Sequence, residues 1–286
     1  MTSEGGRVVG TPRAPGPESG RKDGRTARRP PVPRLPARPE VGVLLGALAV
    51  LVFFLIAAPS VRQGGSMATV LYPSSTIGIM ALPVALLMIG GEFDLSSGVA
   101  VITSALTASS FGQAKKIFAS SFGVGGVQVK ITVVWWLVYA ALATWLLLRT
   151  RYGNGVFAVG GSQDSARAVG VPVGFTTITL FMLVGFGAWF VGMHNLFSFD
   201  TVQSGEGVGN ELIYIAAAVI GGCLLTGGQG SAIGPLFGAF MFGMVNQGIV
   251  YAGWNPDWFK AFLGVMLLGA VLINLWVQRT ATGGNR

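Results

Sequence analysis

The sequence predicts an all-α polytopic membrane protein, a bundle of helices preceded by a disordered tail. Of its 286 residues, 51% are hydrophobic and only 10% are charged, and the mean hydropathy is +0.64. Long apolar segments recur along the chain, as is typical of membrane-spanning helices. The formal net charge is +8, but nine of the 19 basic residues lie within residues 1–39. The excess charge therefore belongs to the tail, and we expect no nucleic-acid partner.

Residues 1–40 are predicted to form a disordered, basic cytoplasmic tail. They are rich in Pro, Gly and Arg and poor in aromatic residues, so they cannot bury enough apolar surface to fold. Repeated prolines and the lack of a clear small-residue cleavage site argue against a cleaved signal peptide. Contact between the tail and anionic membrane lipid is compatible with this composition. Residues 41–278 form the predicted membrane domain, and residues 279–286 a short cytoplasmic C-terminal tail.

Eight apolar segments follow the N-terminal tail. They lie at roughly 41–61, 67–90, 95–110, 131–148, 175–198, 211–226, 231–252 and 258–277. The third and sixth are short, which predicts re-entrant or tilted elements buried among other helices. Simple alternation places the tail, Arg149, Arg151 and Arg279 on one side of the membrane. By the positive-inside rule that side is the cytoplasm, so both termini are predicted to be cytoplasmic.

Two carboxylates, Glu92 and Asp94, interrupt the apolar sequence within GGEFDLSSG at residues 90–98. A carboxylate there costs several kcal/mol unless it reaches water, a partner or a helix end. Because glycines make the flanking backbone permissive, this motif favours a broken or re-entrant helix at a transport pathway. A short polar turn at the membrane surface is the alternative. The predicted pathway residues are Glu92, Asp94, Ser96, Glu206 and Glu211.

The longest polar connection on the predicted cytoplasmic side lies between Arg149 and Phe175. Within it, Ser162 can cap a short helix over residues 163–169, and Gly170 provides the usual stop before Pro172. Such a short helix is unstable alone and needs a partner surface. An ordinary surface turn is the alternative interpretation.

Glycines near the C-terminus predict close helix packing. Gly230, Gly234 and Gly238 are spaced four residues apart, which would leave one helix stripe bare of side chains. The stretch LTGGQG at 225–230 resembles the signature of transport ATPases, but no phosphate-binding G-x-x-x-x-G-K-[ST] loop occurs in the sequence. We therefore expect a tight turn, with Ser231 capping the next helix, and no enzymatic activity in this chain.

The single cysteine and the single histidine suggest little chemistry. Cys223 is alone, so an intrachain disulfide and a cysteine metal cluster are excluded, and we predict no metal site. His194 lies in the apolar segment 175–198, where a packed histidine is the favoured interpretation and a proton relay the alternative.

Three motifs occur in an order that resembles the permease subunits of bacterial ABC importers of the ribose and xylose type. The resemblance covers about residues 41–278. In the first motif the matching residues are Gly90, Gly91, Asp94, Leu95, Ser96 and Gly98. In the second they are Gly160, Gly161, Ala166, Arg167, Gly170 and Val171. In the third they are Glu211, Ile215, Ala216, Ala217, Ile220, Gly221, Gly222, Gly227, Gly228, Gly230, Ser231 and Gly234.

The resemblance implies a permease subunit that forms the translocation pathway of an ATP-driven monosaccharide importer in the bacterial plasma membrane. The implied partners are an ABC ATPase subunit, an extracytoplasmic sugar-binding protein, a second permease copy and membrane lipid. No cofactor is expected in this chain, because the partner ATPase binds the ATP. The residues implied to couple to that ATPase are Gly160, Gly161, Ser162, Asp164, Ala166, Arg167, Gly170 and Val171.

One departure from that family's pattern lies between Ser110 and Phe111, where two membrane spans are missing. Losing an even number of spans keeps the sidedness of the later segments, but it removes the packing around segment 95–110. We therefore predict weak transport that improves when two spans are inserted there. Two other interpretations stay open, an inactive remnant and an ion-coupled secondary transporter using Glu92, Asp94 or His194. The inverted repeat expected of the latter is not detected.

Overall fold

A computed structural model describes residues 39–63, 65–107, 115–201, 207 and 209–269. Its helices are α1 Pro39–Ala57, α2 Ser66–Ile89, α3 Ser97–Thr107, α4 Lys115–Phe118, α5 Ile131–Arg149, α6 Arg151–Gly161, α7 Gln163–Ala168, α8 Val173–Phe199, α9 Asn210–Ile220, α10 Ile233–Tyr251 and α11 Trp258–Gly269. A 3-10 turn spans Pro59–Arg62, and strands β1 Ser121–Val124 and β2 Val127–Lys130 form an antiparallel hairpin.

The predicted helical membrane class is confirmed, and every one of the eight predicted segments contains an apolar helix. Four helices, α2, α5, α8 and α10, are long and apolar enough to cross a membrane. The apolar parts of α1, α3, α9 and α11 are shorter. Residues 1–38 and 270–286 lie outside the described residues. The predicted tails, with Arg279, therefore stay predictions, as does the cytoplasmic placement of the termini.

The hairpin is an element that the hydropathy pattern does not predict. Its two strands are joined by Gly125 and Gly126, whose φ angles are +58° and +83°. A two-residue loop with positive φ at both positions matches the twist of the flanking strands, and glycine adopts it without steric cost. The Gly-Gly pair between two short runs of alternating residues is the sequence signal for this hairpin.

Helix α2 forms the centre of the bundle. Residues 78–89, its C-terminal half, are all buried, and α2 packs against α5, α8, α9 and α10. By contrast, α1, α5 and α8 expose large apolar side chains such as Leu48, Leu142 and Met182. An apolar core surrounded by apolar outer faces is the arrangement expected of a protein in lipid.

Glycines of α10 bring this helix into backbone contact with α9. A Cβ atom placed on Gly234 would lie 1.6 Å from the carbonyl oxygen of Gly221, and one on Gly238 would lie 2.2 Å from that of Ala217. Gly230, however, lies before α10 rather than in it, with φ +156°, and approaches Ile89 instead. The bare stripe of the helix therefore consists of two glycines, because the chain needs the residues before Ile233 to make a turn.

We expect Gly234→Leu to reduce the yield of folded protein far more than Leu236→Ala. A leucine at 234 has no space against the backbone of Gly221, whereas truncating the partly buried Leu236 only removes packing contacts. The yield of monodisperse protein in detergent, measured by size-exclusion chromatography, checks this. Equal yields from the two variants would contradict the close packing of α9 and α10.

Candidate functional site

Three glycine pairs, far apart in the sequence, meet at one point of the fold. They are Gly90–Gly91 after α2, Gly160–Gly161 at the end of α6, and Gly227–Gly228 in the turn between α9 and α10. We call these six residues the glycine junction. The backbone N–H of Gly228 donates a hydrogen bond of 2.8 Å to the carbonyl oxygen of Ile89, the last residue of α2.

Three residues of the glycine junction, Gly160, Gly227 and Gly228, have no space for a side chain. A Cβ atom on Gly160 would lie 1.8 Å from the oxygen of Ile89 and 2.6 Å from the nitrogen of Gly228. One on Gly227 would lie 2.6 Å from the Cα atom of Gly91. Gly91, Gly227 and Gly228 also have φ angles between +74° and +83°, a region that L side chains adopt only with strain. The junction therefore needs glycine for both space and backbone conformation.

Beside the glycine junction, α7 is a short helix with both ends capped. The Ser162 hydroxyl accepts a 3.3 Å hydrogen bond from the N–H of Ser165 at the N-terminus. At the C-terminus Gly170 has φ +83°, its N–H donates to the oxygen of Arg167, and the N–H of Val171 donates to that of Ala166. These two hydrogen bonds satisfy carbonyls that the helix end would otherwise leave without partners.

One face of α7 is anchored and the rest of the helix is exposed. Ala166 is buried against Val159 of α6 and Val173 of α8. The exposed residues of this segment are Ser162, Asp164, Ser165, Arg167, Ala168, Val169 and Gly170. We call these seven residues the α7 surface. Arg167 pairs with Asp164 at 3.1 Å, but both side chains are largely in solvent, so this ion pair adds little stability.

The acidic segment is joined to α7 through Glu92. The Gln163 side-chain amide donates a 3.3 Å hydrogen bond to the Glu92 carboxylate, and the Gln163 oxygen accepts one of 3.4 Å from Arg167. Glu92 was predicted as a pathway residue, and the structure places it beside the loop whose residues were predicted to couple to an ATPase. Gln163 was not singled out from the sequence, because no local pattern indicates which side chain a helix-capping loop will contact.

Asp94 lies just before the start of α3. Its carboxylate accepts hydrogen bonds from the backbone N–H of Ser96 at 2.7 Å and from the Ser96 hydroxyl at 2.6 Å. Ser96 is the residue before α3, so these bonds form a tight side-chain turn that leads into the helix, and the negative charge lies near the positive end of the helix dipole. The segment between α2 and α3, residues 90–96, is not helical. The helical structure is therefore interrupted at the position of the acidic motif.

The start of α9 lies next to the start of α3. Glu211, in the first turn of α9, accepts a 3.0 Å hydrogen bond from the N–H of Gly209. A Cβ atom on Gly98 of α3 would lie 2.4 Å from a Glu211 carboxylate oxygen and 2.5 Å from the carbonyl oxygen of Gly207. Two helix N-termini, each with its own carboxylate, therefore come together. Glu206 lies outside the described residues.

His194 is a buried packing residue and does not belong to this site. It is fully buried in α8, with Nδ1 2.6 Å from the oxygen of Phe118 and Nε2 3.2 Å from the hydroxyl of Tyr72. Cys223 is also buried, and its thiol donates to the oxygen of Ser231 at 3.6 Å. In the described part of the chain no three His, Cys, Asp or Glu residues cluster to hold a metal ion.

Comparison with known proteins identifies related permeases. Residues 107–271, more than half of the chain, match the family described as branched-chain amino acid transport system / permease component. The galactose/methyl galactoside import permease protein MglC of Haemophilus influenzae is 33% identical over 154 residues, which cover 54% of this chain and 46% of that protein. The ribose import permease protein RbsC of Escherichia coli is 34% identical over 154 residues, with coverages of 54% and 48%.

A longer match is found at lower identity. The probable ABC transporter permease protein YphD of Escherichia coli is 25% identical over 309 residues, covering 86% of this chain and 92% of that protein. Because the aligned length exceeds the 286 residues of this chain, YphD has positions with no counterpart here. The chain spans about half the length of the galactose and ribose permeases that it matches. No solved structure matches it significantly.

Proposed function

Since this chain belongs to the family of branched-chain amino acid transport system permease components, we propose that it is the membrane permease subunit of an ATP-driven monosaccharide importer. Similarity to the galactose and ribose import permeases supports a sugar as the substrate. In this proposal the chain performs no catalysis. Two copies form the pathway in the bacterial plasma membrane, a sugar-binding protein delivers the substrate outside, and ATPase subunits bind ATP inside, where both termini lie.

The observation that carries this proposal is the connection of α7 to the membrane helices. The α7 surface is exposed, whereas Ala166 anchors the helix to α6 and α8. Through the glycine junction the end of α6 contacts the end of α2 and the turn before α10. A displacement of α7 by a closing ATPase would therefore reach α2 and the turn before α10 through backbone contacts, which are less compliant than side-chain contacts. Rigid-body tilting of packed helices is a common way to switch between two states.

The paired starts of α3 and α9 are the proposed pathway element. Broken helices whose N-termini face a cavity provide N–H groups to a passing polar substrate. Asp94 and Glu211 each accept a hydrogen bond from backbone N–H near these helix starts, which holds the two N-terminal turns in place. Substrate selectivity is assigned mainly to the sugar-binding protein, so the pathway itself needs few sugar-specific side chains.

The contacts of the titratable residues favour ATP coupling over ion coupling. A proton-coupled transporter needs a carboxylate or histidine that exchanges protons during the cycle. Here the Glu92 carboxylate accepts a hydrogen bond from Gln163, and the Asp94 carboxylate accepts one from Ser96. The two ring nitrogens of His194 form hydrogen bonds with Phe118 and Tyr72. Each of these three groups thus has a structural role that accounts for its position.

Crosslinking tests the assignment of the α7 surface. We expect a cysteine at Asp164, whose side chain is 96% exposed, to crosslink to the ATPase subunit in the assembled complex. Gln63→Cys is the matched control, because Gln63 is also exposed but lies in the turn before α2, at the opposite end of that helix from the glycine junction. The native Cys223 is buried and does not compete. An intact complex in which Asp164→Cys crosslinks no better than Gln63→Cys would contradict the assignment.

A further inference from the structure

A groove opens at the end of the bundle opposite the glycine junction. Its volume is about 680 Å³, and it lies between the start of α2, the hairpin and the end of α10. The polar residues that line it are Thr69, Tyr72, Gln128, Lys130 and Gln247. At 1.5 Å per helical residue, Tyr72 is about 25 Å along α2 from Ile89 at the junction. If the α7 surface faces the cytoplasm, the groove faces the outside.

The chemistry of the groove suits a neutral, hydroxyl-rich ligand. Two carboxamides, a hydroxyl and a phenol each combine donor and acceptor atoms, which is what sugar hydroxyl groups require. The described residues that line it include no Asp or Glu, and Lys130 is its one cation. A cationic ligand would find no countercharge there, and a strongly anionic one would find a single positive charge. A volume of this size is within the range of small-molecule sites.

Two of the hydroxyl groups are held in fixed positions. The carbonyl of Phe118 can only accept, so in neutral His194 the proton is on Nδ1. Nε2 then accepts from the Tyr72 hydroxyl at 3.2 Å, with the Ser198 hydroxyl 3.3 Å away. Thr69 donates to the oxygen of Ser66 at 2.7 Å, and its oxygen therefore accepts from the Tyr251 hydroxyl. Groups that are oriented before binding lose less entropy when a ligand arrives.

We propose that this groove is a monosaccharide-binding site, which receives the sugar from the delivering protein before it enters the bundle. The inference rests on the proposed function for the identity of the ligand. It adds a substrate site within the permease at Tyr72, Gln128, Lys130 and Gln247, distinct from the paired starts of α3 and α9. Because the sugar must leave this site to enter the pathway, we expect it to bind weakly.

Direct binding to the full chain tests the groove without requiring transport. We expect radiolabelled D-ribose or D-galactose to bind the purified chain in lipid nanodiscs with a Kd of about 1 mM. Gln247→Leu and Tyr72→Phe each remove groove hydrogen-bonding groups while preserving much of the side-chain volume, and we expect each to weaken binding by about tenfold. Gln63→Leu is the control, because Gln63 is exposed but does not line the groove.

The possible results of this experiment distinguish a failure of the groove proposal from a failure of the proposed transport function. If the parent chain binds neither sugar, or if both groove variants bind as the parent does while remaining monodisperse, the groove is not a sugar site. Sugar binding that both variants weaken supports the groove even if the parent chain shows no ATP-dependent uptake, a result that would count against the proposed function alone. ATP-dependent uptake without measurable binding would leave the proposed function standing and overturn the groove.

Discussion

Replacing Gly160 with alanine is expected to prevent the chain from reaching a stable folded state. The added Cβ atom would lie 1.8 Å from the oxygen of Ile89 and 2.6 Å from the nitrogen of Gly228, and neither backbone atom can rotate away as a side chain can. The hydrogen bond between these two atoms, 2.8 Å long, would be pushed apart. Overpacking of this kind costs about 3 kcal/mol or more, which corresponds to roughly a hundredfold change in the folded-to-unfolded ratio.

Gly161→Ala is the matched control for this effect. Gly161 is the adjacent residue and the last one of α6, but a Cβ atom there meets nothing within 4 Å. Alanine at this position is expected to be neutral or slightly stabilising, because alanine favours helix more than glycine does. Thermal stability in detergent and the yield of monodisperse protein measure both variants. Equal behaviour of Gly160→Ala and Gly161→Ala would mean that the glycine junction is not tightly packed.

The membrane helices were predictable because hydropathy is a local property. Each of the eight apolar segments contains an apolar helix, and the cap of α7 by Ser162 follows from residues three positions apart. The glycine junction was not predictable in the same way. Its three glycine pairs are separated by about 70 residues each, and each pair alone is equally compatible with a flexible turn. Only the packing of α2, α6 and α10 brings them together.

Other contacts of the site also could not be predicted from local spacing in the sequence. Glu92 and Asp94 are two residues apart, so the sequence suggests one shared role, yet Glu92 contacts Gln163 of α7 and Asp94 bonds to Ser96 just before α3. The segment between Gly91 and Ser96 is neither helix nor strand, so two-residue spacing there does not place both side chains on one face. Likewise, the i to i+4 spacing of Gly230 and Gly234 resembles a helix stripe, but α10 begins only at Ile233. Spacing alone does not show where a helix starts.

The two spans that the sequence comparison with the family predicts to be missing are the reason to expect weak transport. In α3, Val99 and Leu106 are 52% and 53% exposed, so no described helix covers this face. YphD has positions with no counterpart in this chain. A loosely held α3 would weaken the pathway element that it forms with α9. We therefore expect transport by this chain to be slow, because α3 packs against α8 on one face, whereas no described helix covers its face with Val99 and Leu106 during helix tilting.

ATP-dependent sugar uptake into proteoliposomes is the most direct measurement of the proposed function. The chain is reconstituted with its ATPase and its binding protein, alongside a version in which two family-like spans are inserted between Ser110 and Phe111. We predict uptake that requires ATP and the binding protein, is insensitive to ionophores, and is several-fold faster in the version with the inserted spans. Uptake driven by an ion gradient without ATP, or no ATP-dependent uptake by either version, would contradict the proposal.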